Sequence, residues 1–468
     1  MMKNKKNKKD FQMPHIYVIL FVIIGLASLL SYIIPSGTFD REEVDGVTQI
    51  IPDTFHIVES SPVTFFEFMT SIPRGIQETV IIIFGILAIG AMFKVLERAG
   101  IINLAIDGLM KAFGQKKVLI IPVIAFSLAL VVSLTGMIEA SLIFLPAFIP
   151  LFLKLGYDRL TATATILIST VVGFTVGLTP AANLGTAQTI AELPLFSGMG
   201  YRALILVVML LIGILFVIFY TKRMNKYPNG SLISNPDENE SFLKDEALMS
   251  SKTNKRVLIA GIFFLLSLGF MFYGIFAQGW YFIELAGFYL LTGVISGLIA
   301  GLKPSKIAES MNDGMNQILL GALIVGVARA ISIVLADGQI LDTMINSLSS
   351  VVTLLPDTLV PVAMMVVQGL INFLIPSGSG QAAATMPIMI GLVDLTNMTR
   401  QTAVLAFLMG DGFSNIFYPT SGYFMAALAI AKIKYNEWIK FIWPLLIIWY
   451  VVGAIFLVIA QLIEYGPF

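Results

Sequence analysis

Apolar runs close to 20 residues long recur from one end of this chain to the other, beginning with Ile16–Ile34. A helix of about 20 apolar residues spans the ~30 Å hydrocarbon core of a bilayer. One such run is a local feature, but many of them commit the whole chain to a membrane. The composition agrees: 57% of residues are hydrophobic and 12% charged, against about 25% charged in an average soluble domain. Several function classes drop out at once. The 29 basic and 29 acidic residues balance, so no net field points to nucleic acid. There is no cysteine, and only His15 and His56 are present, which removes disulfides, thiol chemistry and a His-based zinc site. No P-loop pattern supports an ATP-driven pump. A membrane-embedded enzyme lacks any cluster to carry it.

Charge orders the threading. The first ten residues hold five lysines, so residues 1–15 read as a basic cytoplasmic tail and the first helix as uncleaved. Residues 35–63 carry six acids and one Arg and belong outside. A helix over about 79–95 returns to a basic segment. Residues 118–153 are apolar, are interrupted at Ser133–Gly136, and have basic flanks on both sides. They read as a re-entrant hairpin. Residues 160–178 go outward and break at Gly177–Gly185, and a helix over about 201–221 comes back. Residues 222–256 form a polar cytoplasmic linker. Residues 257–277 cross outward, 282–302 return, and a helix near 317–335 goes out. A second hairpin, 358–393, is broken at Pro376–Gly380. Residues 400–417 break at Tyr418–Gly422, and 441–462 exit. The expectation is nine crossings and two hairpins in an all-α polytopic fold, with the N-terminus in the cytoplasm and the C-terminus outside.

The halves repeat. Ser71-x3-Gly75 matches Ser310-x3-Gly314, Gly100 matches Gly338, and Pro146 matches Pro387. Arg159-x-Thr161-Ala162 matches Arg400-x-Thr402-Ala403, and Pro180 matches Pro419. The expected organisation is a first repeat over 16–221 (hairpin 118–153, broken helix 160–195) and a second over 281–463 (hairpin 358–393, broken helix 400–432). A connecting helix, 257–280, inverts the second repeat. Matched breaks in inverted halves point to a secondary transporter's binding site. Non-helical backbone at membrane depth is tolerated only inside protein or along a wet cavity. The competing reading, proline kinks in ordinary packed helices, does not explain four breaks in symmetric register.

The breaks supply the candidate residues. Glu139 sits at the first hairpin tip with Thr135, Gly136 and Ser141. An acid at mid-membrane costs ~2.5–3.5 kcal/mol, so it marks function by default. It would bind an ammonium group, ligate a coupling cation or carry a proton; a structural ion pair is the alternative. Asp411 and Asn415 are one helical turn apart before Pro419. Glu139, Asp411, Asn183 and Asn415 make an oxygen-rich set suited to Na⁺ or an ammonium group. Ser377, Gly378, Ser379, Gly380 and Gln381 open a half-helix at the second tip. Its free N–H groups favour a carboxylate. Thr179, Asn183 and Thr186 line the first break, and Thr420 and Ser421 the second. Arg329 lies inside an apolar run; it would neutralise an anionic substrate or pair with a nearby acid.

The stretch 374–432 resembles the YfcC-like branch of the C4-dicarboxylate anaerobic carrier (DcuC-like) family, in the ion transporter superfamily. The carrying motifs are Ile375–Ala382, Met386-Pro387, Arg400-Gln401, Gly410–Asn415 and Pro419–Ser421. The first half is similar through Gly136-Met137-x-Glu139, Gly156–Asp158, Ala187-Gln188 and Phe196–Gly198. Two departures fall on the expected site. The family shows two adjacent acids where Glu139 is followed by Ala140, and Asn-Pro where Thr179-Pro180 stands. The resemblance implies an elevator-type carrier with a dimeric scaffold, and substrates among C4-dicarboxylates or, in related members, exchanged arginine and ornithine. Neither tip and neither break holds a Lys or Arg, which ranks an amino acid above a dicarboxylate. A passive channel is the remote alternative. No cofactor is expected beyond coupling Na⁺ or H⁺. The expected partners are a small-molecule substrate, the lipid bilayer and a second copy of the chain.

Overall fold

The computed structural model describes residues 16–44, 47–105, 117–226, 231–233, 254–280, 282–350, 358–393 and 398–466, with single residues 108 and 356. The expected basic tail and most of the 222–256 linker lie outside these residues. Seven described helices are long and apolar enough to cross a membrane.

Helix α1 (Ile16–Leu30) leads into a segment expected to be irregular. It instead holds two antiparallel strand pairs, β1 (Gly37–Thr38) with β4 (His56–Ile57) and β2 (Arg41–Val44) with β3 (Val47–Ile50). The all-α expectation is corrected to that extent. Outside the bilayer, an acidic stretch can satisfy its backbone by local pairing. The segment is anchored at its start, where Asp342 accepts from Phe39 N at 3.1 Å and from Arg41 at 2.8 Å.

Helices α2 (Phe65–Glu78) and α3 (Val80–Arg98) are separated only by Thr79. A Thr64–Glu67 capping box starts α2. Next come α4 (Ile120–Thr135), α5 (Ala140–Lys154), α6 (Arg159–Thr175), a π-helical turn at Ala181–Gly185, α7 (Thr186–Ile190) and α8 (Met199–Lys226). The second half runs through α9 (Lys255–Gln278), α10 (Phe282–Ala300), α11 (Pro304–Asp337), α12 (Leu341–Ser349), α13 (Val360–Asn372), α14 (Gly378–Val393), α15 (Arg400–Ser414), α16 (Gly422–Ile430) and α17 (Tyr435–Leu462).

Two expectations need correction here. The helix expected near 317–335 is one continuous 34-residue helix, α11. Its charged first part has good helix formers and a Pro at the start, where proline fits. Nine crossings are also too many to count by length. Helices α1, α6 and α15 have 15, 17 and 15 residues. At 1.5 Å per residue none spans ~30 Å alone.

Several equally spaced positions in the first and second parts of the chain make comparable contacts. Residues 65–98 cover the same 34 positions as α11, and α8 and α17 each have 28 residues. Helix α4 packs on α6 and α8, as α13 packs on α15 and α17. The second arms cross over: α5 packs on α16, and α14 on α7. At the fourth residue of α8, Arg202 Nε donates to Gly177 O in the first break at 2.9 Å. At the fourth residue of α17, Trp438 Nε1 donates to Ile416 O in the second break at 2.8 Å. Arg159, opening α6, donates to Ala431 O and Lys432 O at the end of α16 (3.2 and 2.9 Å). Arg400, opening α15, donates to Ala191 O and pairs with Glu192 at the end of α7 (3.3 and 2.6 Å). Glu192 and Lys432 both adopt left-handed backbone, at φ 55° and 52°. Around this core, α11 packs against α1, α2, α3 and α16, while α10 packs on α3 and α9.

Candidate functional site

Four interruptions of helix converge on one cavity of 820 Å³. The first is the tip of the α4–α5 hairpin. Gly136 ends α4 at φ 75°, a left-handed conformation that a side chain would strain. Glu139 then precedes α5 at its N-terminus, where the helix dipole favours a carboxylate. The second is the break after α6. It is stitched to the first tip, because Leu178 N and Thr179 N both donate to Ser133 O, at 2.7 and 3.2 Å. Arg202 is 1% exposed and gathers four carbonyls of this region, at Gly177, Leu178, Ser197 and Phe196. A fixed guanidinium fork suits that many acceptors. The third is the α13–α14 tip, where Gly380 N donates to Ser377 Oγ at 3.4 Å. The fourth is the break after α15, where Ser421 Oγ donates to Asn415 Oδ1 at 3.2 Å and Tyr423 OH to Asn415 O at 3.2 Å.

Of the residues singled out from sequence, Gly136, Glu139, Asn183, Ser377, Gly378, Ser379, Asn415, Thr420 and Ser421 line the cavity. Seven others do not. Thr135, Ser141 and Thr186 turn their hydroxyls back onto carbonyls three or four residues earlier, those of Val131, Ile138 and Ala182. This is the usual way a Ser or Thr satisfies itself in an apolar helix. Thr179 donates to Leu134 O at 3.1 Å and ties break to hairpin. Gly380 lies one turn into the capped helix, away from the lining. Gln381 is fully buried and donates to Gln368 O and Oε1 at 2.8 and 2.7 Å, inside the second hairpin.

Asp411 is the seventh, set just behind the lining. It is fully buried. Its Oδ1 accepts from Asn415 at 3.1 Å and from Asn372. Its Oδ2 has no hydrogen-bond partner among the described residues, and neither have Asn372 Oδ1 and Thr420 Oγ1. Gly378 presses against this group. A Cβ there would stand 3.1 Å from Asp411 Oδ2 and 3.0 Å from Asn183 Cβ. Bare oxygens buried without donors suit a dehydrated cation or a proton.

Sequence reasoning missed several lining residues. Glu78, Glu284 and Tyr423 all border the cavity. Each acid stands at the start of an apolar run, and an ionisable residue in a membrane segment is a candidate for function by default. Arg329, which the sequence did mark, also borders the cavity, and it pairs with Glu78 at 2.8 Å, the nearby-acid role expected for it. Asn372 and Arg202 were equally unmarked. Arg202 is the sole basic residue between Arg159 and Lys222. Among the described lining residues, acids therefore outnumber the single base, and that base already has an acid beside it. No group of three or more His, Cys, Asp or Glu among the described residues could hold a metal.

Comparison with known proteins follows the same line. The family model described as C4-dicarboxylate anaerobic carrier, DcuC, matches residues 13–462. A protein of Escherichia coli (strain K12) named "Putative basic amino acid antiporter YfcC" is 30% identical over 98% of both chains. A Haemophilus influenzae protein described as uncharacterized is 26% identical over 98% of this chain and 99% of its own. Two solved transporters overlay loosely. YdaH of Alcanivorax borkumensis is 15% identical at TM-score 0.46, over 97% of this chain and all of its own. MtrF of Neisseria gonorrhoeae, described with a class of antimetabolite efflux pumps, is 16% identical at TM-score 0.41, over 96% and 95%. The protein is a multi-pass membrane transporter, and the chain belongs to the C4-dicarboxylate anaerobic carrier family.

Proposed function

We propose that this carrier exchanges basic amino acids such as arginine and ornithine across the bacterial cytoplasmic membrane. The carrying observation is the charge of the cavity. Glu78, Glu139 and Glu284 face it, and its one base, Arg329, is held by Glu78. A second carboxylate on a dicarboxylate would meet acids there. A cationic side chain would meet a complementary field. The substrate carboxylate belongs at the start of α14, against Ser377, Gly378 and Ser379. Its ammonium or guanidinium group belongs against Glu139. The name of the Escherichia coli relative supports the same class. C4-dicarboxylate carriage is the second reading, supported by the family description; it would require a cation in the Asp411 pocket to supply the missing positive charge.

The coupling cation, Na⁺ or H⁺, belongs with Asp411, Asn183 and Asn415, where Asp411 Oδ2 and Asn372 Oδ1 are bare. Glu139 would serve it too in the dicarboxylate reading. The movement proposed is an elevator. Residues 16–221 and 281–463 form inverted repeats joined by 257–280, and their hairpins and broken helices move together. The crossed clasps of Arg159 and Arg400 and the matched roles of Arg202 and Trp438 support this pairing. The helices α1–α3 and α9–α11 form the fixed scaffold and the surface for a homodimer, with the N-terminus cytoplasmic. A fixed pore would not need matched mobile tips. Counterflow in proteoliposomes tests the substrate. Trans-acceleration of arginine uptake by internal ornithine is expected, and uptake of succinate alone would overturn the reading.

A further inference from the structure

Two spaces lie along the seam between α5 and the helices α3 and α10. A space of 20 Å³ lies between the first hairpin, at Met137–Ile143, and the scaffold helices α3 and α10. That is room for one water. Its walls are Gly85, Ile86 and Ile89 on one side and Phe282 and Leu285 on another, all apolar. Two polar side chains also border it, Glu139 from the hairpin and Tyr289 from α10. Glu139 is shared with the large cavity, so it stands between the substrate space and this one. Its carboxylate makes no ion pair and no hydrogen bond to another side chain among the described residues. Tyr289 is 3% exposed, and its hydroxyl has no hydrogen-bond partner among the described residues.

Native proteins rarely leave a buried hydroxyl unsatisfied without a role for it or a water beside it. A water needs two to four polar partners, and a water here would find two. We propose that the Tyr289 hydroxyl holds the Glu139 carboxylate through one bridging water in the substrate-free carrier, and that this tether makes empty return slow. In the elevator movement proposed above, on which the inference also rests, Glu139 would travel with the hairpin while Tyr289 stays with the scaffold. A tether between them resists sliding. A cationic substrate in the large cavity draws the carboxylate the other way and releases it. Tyr289 also borders a 180 Å³ space, apolar apart from Ser267 and Thr292, lined by residues of α3, α5, α9 and α10, and the Ser267 hydroxyl is already turned onto Phe263 O. Tyr289 is thus a positioning residue. The inference rests on the assignment of Glu139 to a cationic substrate under Proposed function.

The test compares net efflux with exchange. Proteoliposomes loaded with labelled ornithine are diluted into buffer with or without external arginine. In the wild type, efflux without arginine should be much slower than exchange. Tyr289→Phe should raise efflux without arginine at least about tenfold, on the scale of one hydrogen bond to a charged group. Its exchange rate should stay within about twofold. A loss of packing would instead lower both rates together, and that result, or an unchanged ratio, overturns the tether. Thermal unfolding in detergent checks the variant's fold, and Tyr289→Met carries the same readout if Tyr289→Phe fails to fold. A wild type that does not exchange ornithine for arginine overturns the substrate assignment itself, which separates the two failures.

Discussion

Replacing Arg202 by Met should damage the first break more than replacing Trp438 by Phe damages the second. The two side chains occupy matched positions, but their duties differ in charge and number. Arg202 donates to Gly177 O at 2.9 Å, Ser197 O at 2.5 Å, and Leu178 O and Phe196 O at 3.2 Å each. Its removal leaves the carbonyls of Gly177, Leu178 and Phe196 short of a donor, each costing roughly 1–3 kcal/mol where buried, whereas Ser197 O keeps Gln188 and Gln401. Against that, several kcal/mol of charge desolvation are recovered. The net loss is about 4 kcal/mol, in the range for breaking a buried charged contact. Trp438 gives up one neutral bond, to Ile416 O at 2.8 Å, and part of a ring, about 1–2 kcal/mol in all. A kcal/mol shifts the midpoint by about 1–2 °C in a chain this long. The unfolding midpoint in detergent should therefore fall by roughly 4–8 °C for Arg202→Met and by no more than about 4 °C for Trp438→Phe. Equal shifts, or a larger one for Trp438→Phe, would refute the view that Arg202 holds the break together by its charge.

Glu139→Gln should abolish arginine–ornithine exchange while leaving the detergent midpoint within about 2 °C, since the carboxylate makes no direct ion pair or hydrogen bond to another side chain among the described residues; thermal unfolding and flux assays decide it. Asn372→Leu strips one of the two side-chain donors from Asp411 Oδ1 and one bare oxygen from its pocket. It should weaken the cation dependence of transport by about tenfold or more, measured as the half-saturating Na⁺ or proton concentration. Gly314→Ala places a methyl 2.6 Å from Gly90 C and 2.9 Å from Lys94 Cβ, so α11 and α3 must part, at about 1–3 kcal/mol in unfolding experiments. Arg159→Gln and Arg400→Gln should differ despite their matched roles. Arg159 is fully buried, whereas the Arg400 side chain is 32% exposed against a Glu192 that is 79% exposed. The first should cost about 3 kcal/mol and the second under about 1 kcal/mol.

The parts of this fold that are plain in the sequence are those written in helix-breaking residues. Thr135–Glu139, Gly177–Pro180, Pro376–Gly378 and Tyr418–Ser421 each put Gly or Pro inside an apolar run, and each is an interruption beside the cavity. Membrane helices have few ways to be broken, so such residues read cleanly. What stays hidden depends on neighbours remote in sequence. The length of α11 is one case: Ser305–Asn316 is polar enough to pass for a surface segment, yet it continues the helix beside α3. The strand pairs of 37–57 are another, since their pairing depends on anchors such as Asp342. Among site residues, polarity near a break gave Glu139, Asn183 and Ser377 but could not separate Thr135 or Thr186, whose hydroxyls are spent on their own helix. Asn372 was invisible because only the packing of α13 on α15 brings it to Asp411, and Tyr423, just past the second break, is marked only by its hydroxyl reaching back to Asn415 O.

The central claim is that an acid-rich cavity between the hairpin tips takes a cationic amino acid in exchange for another. The most direct measurement loads purified protein in liposomes with ornithine, arginine or succinate and follows uptake of labelled counterparts, with and without Na⁺ and pH gradients. Saturable arginine–ornithine counterflow, lost in Glu139→Gln, is the result expected from the charge around Glu139. Gradient-driven succinate uptake with no response to arginine or ornithine would contradict it, and would make Asp411 and Glu139 ligands of the coupling cation instead.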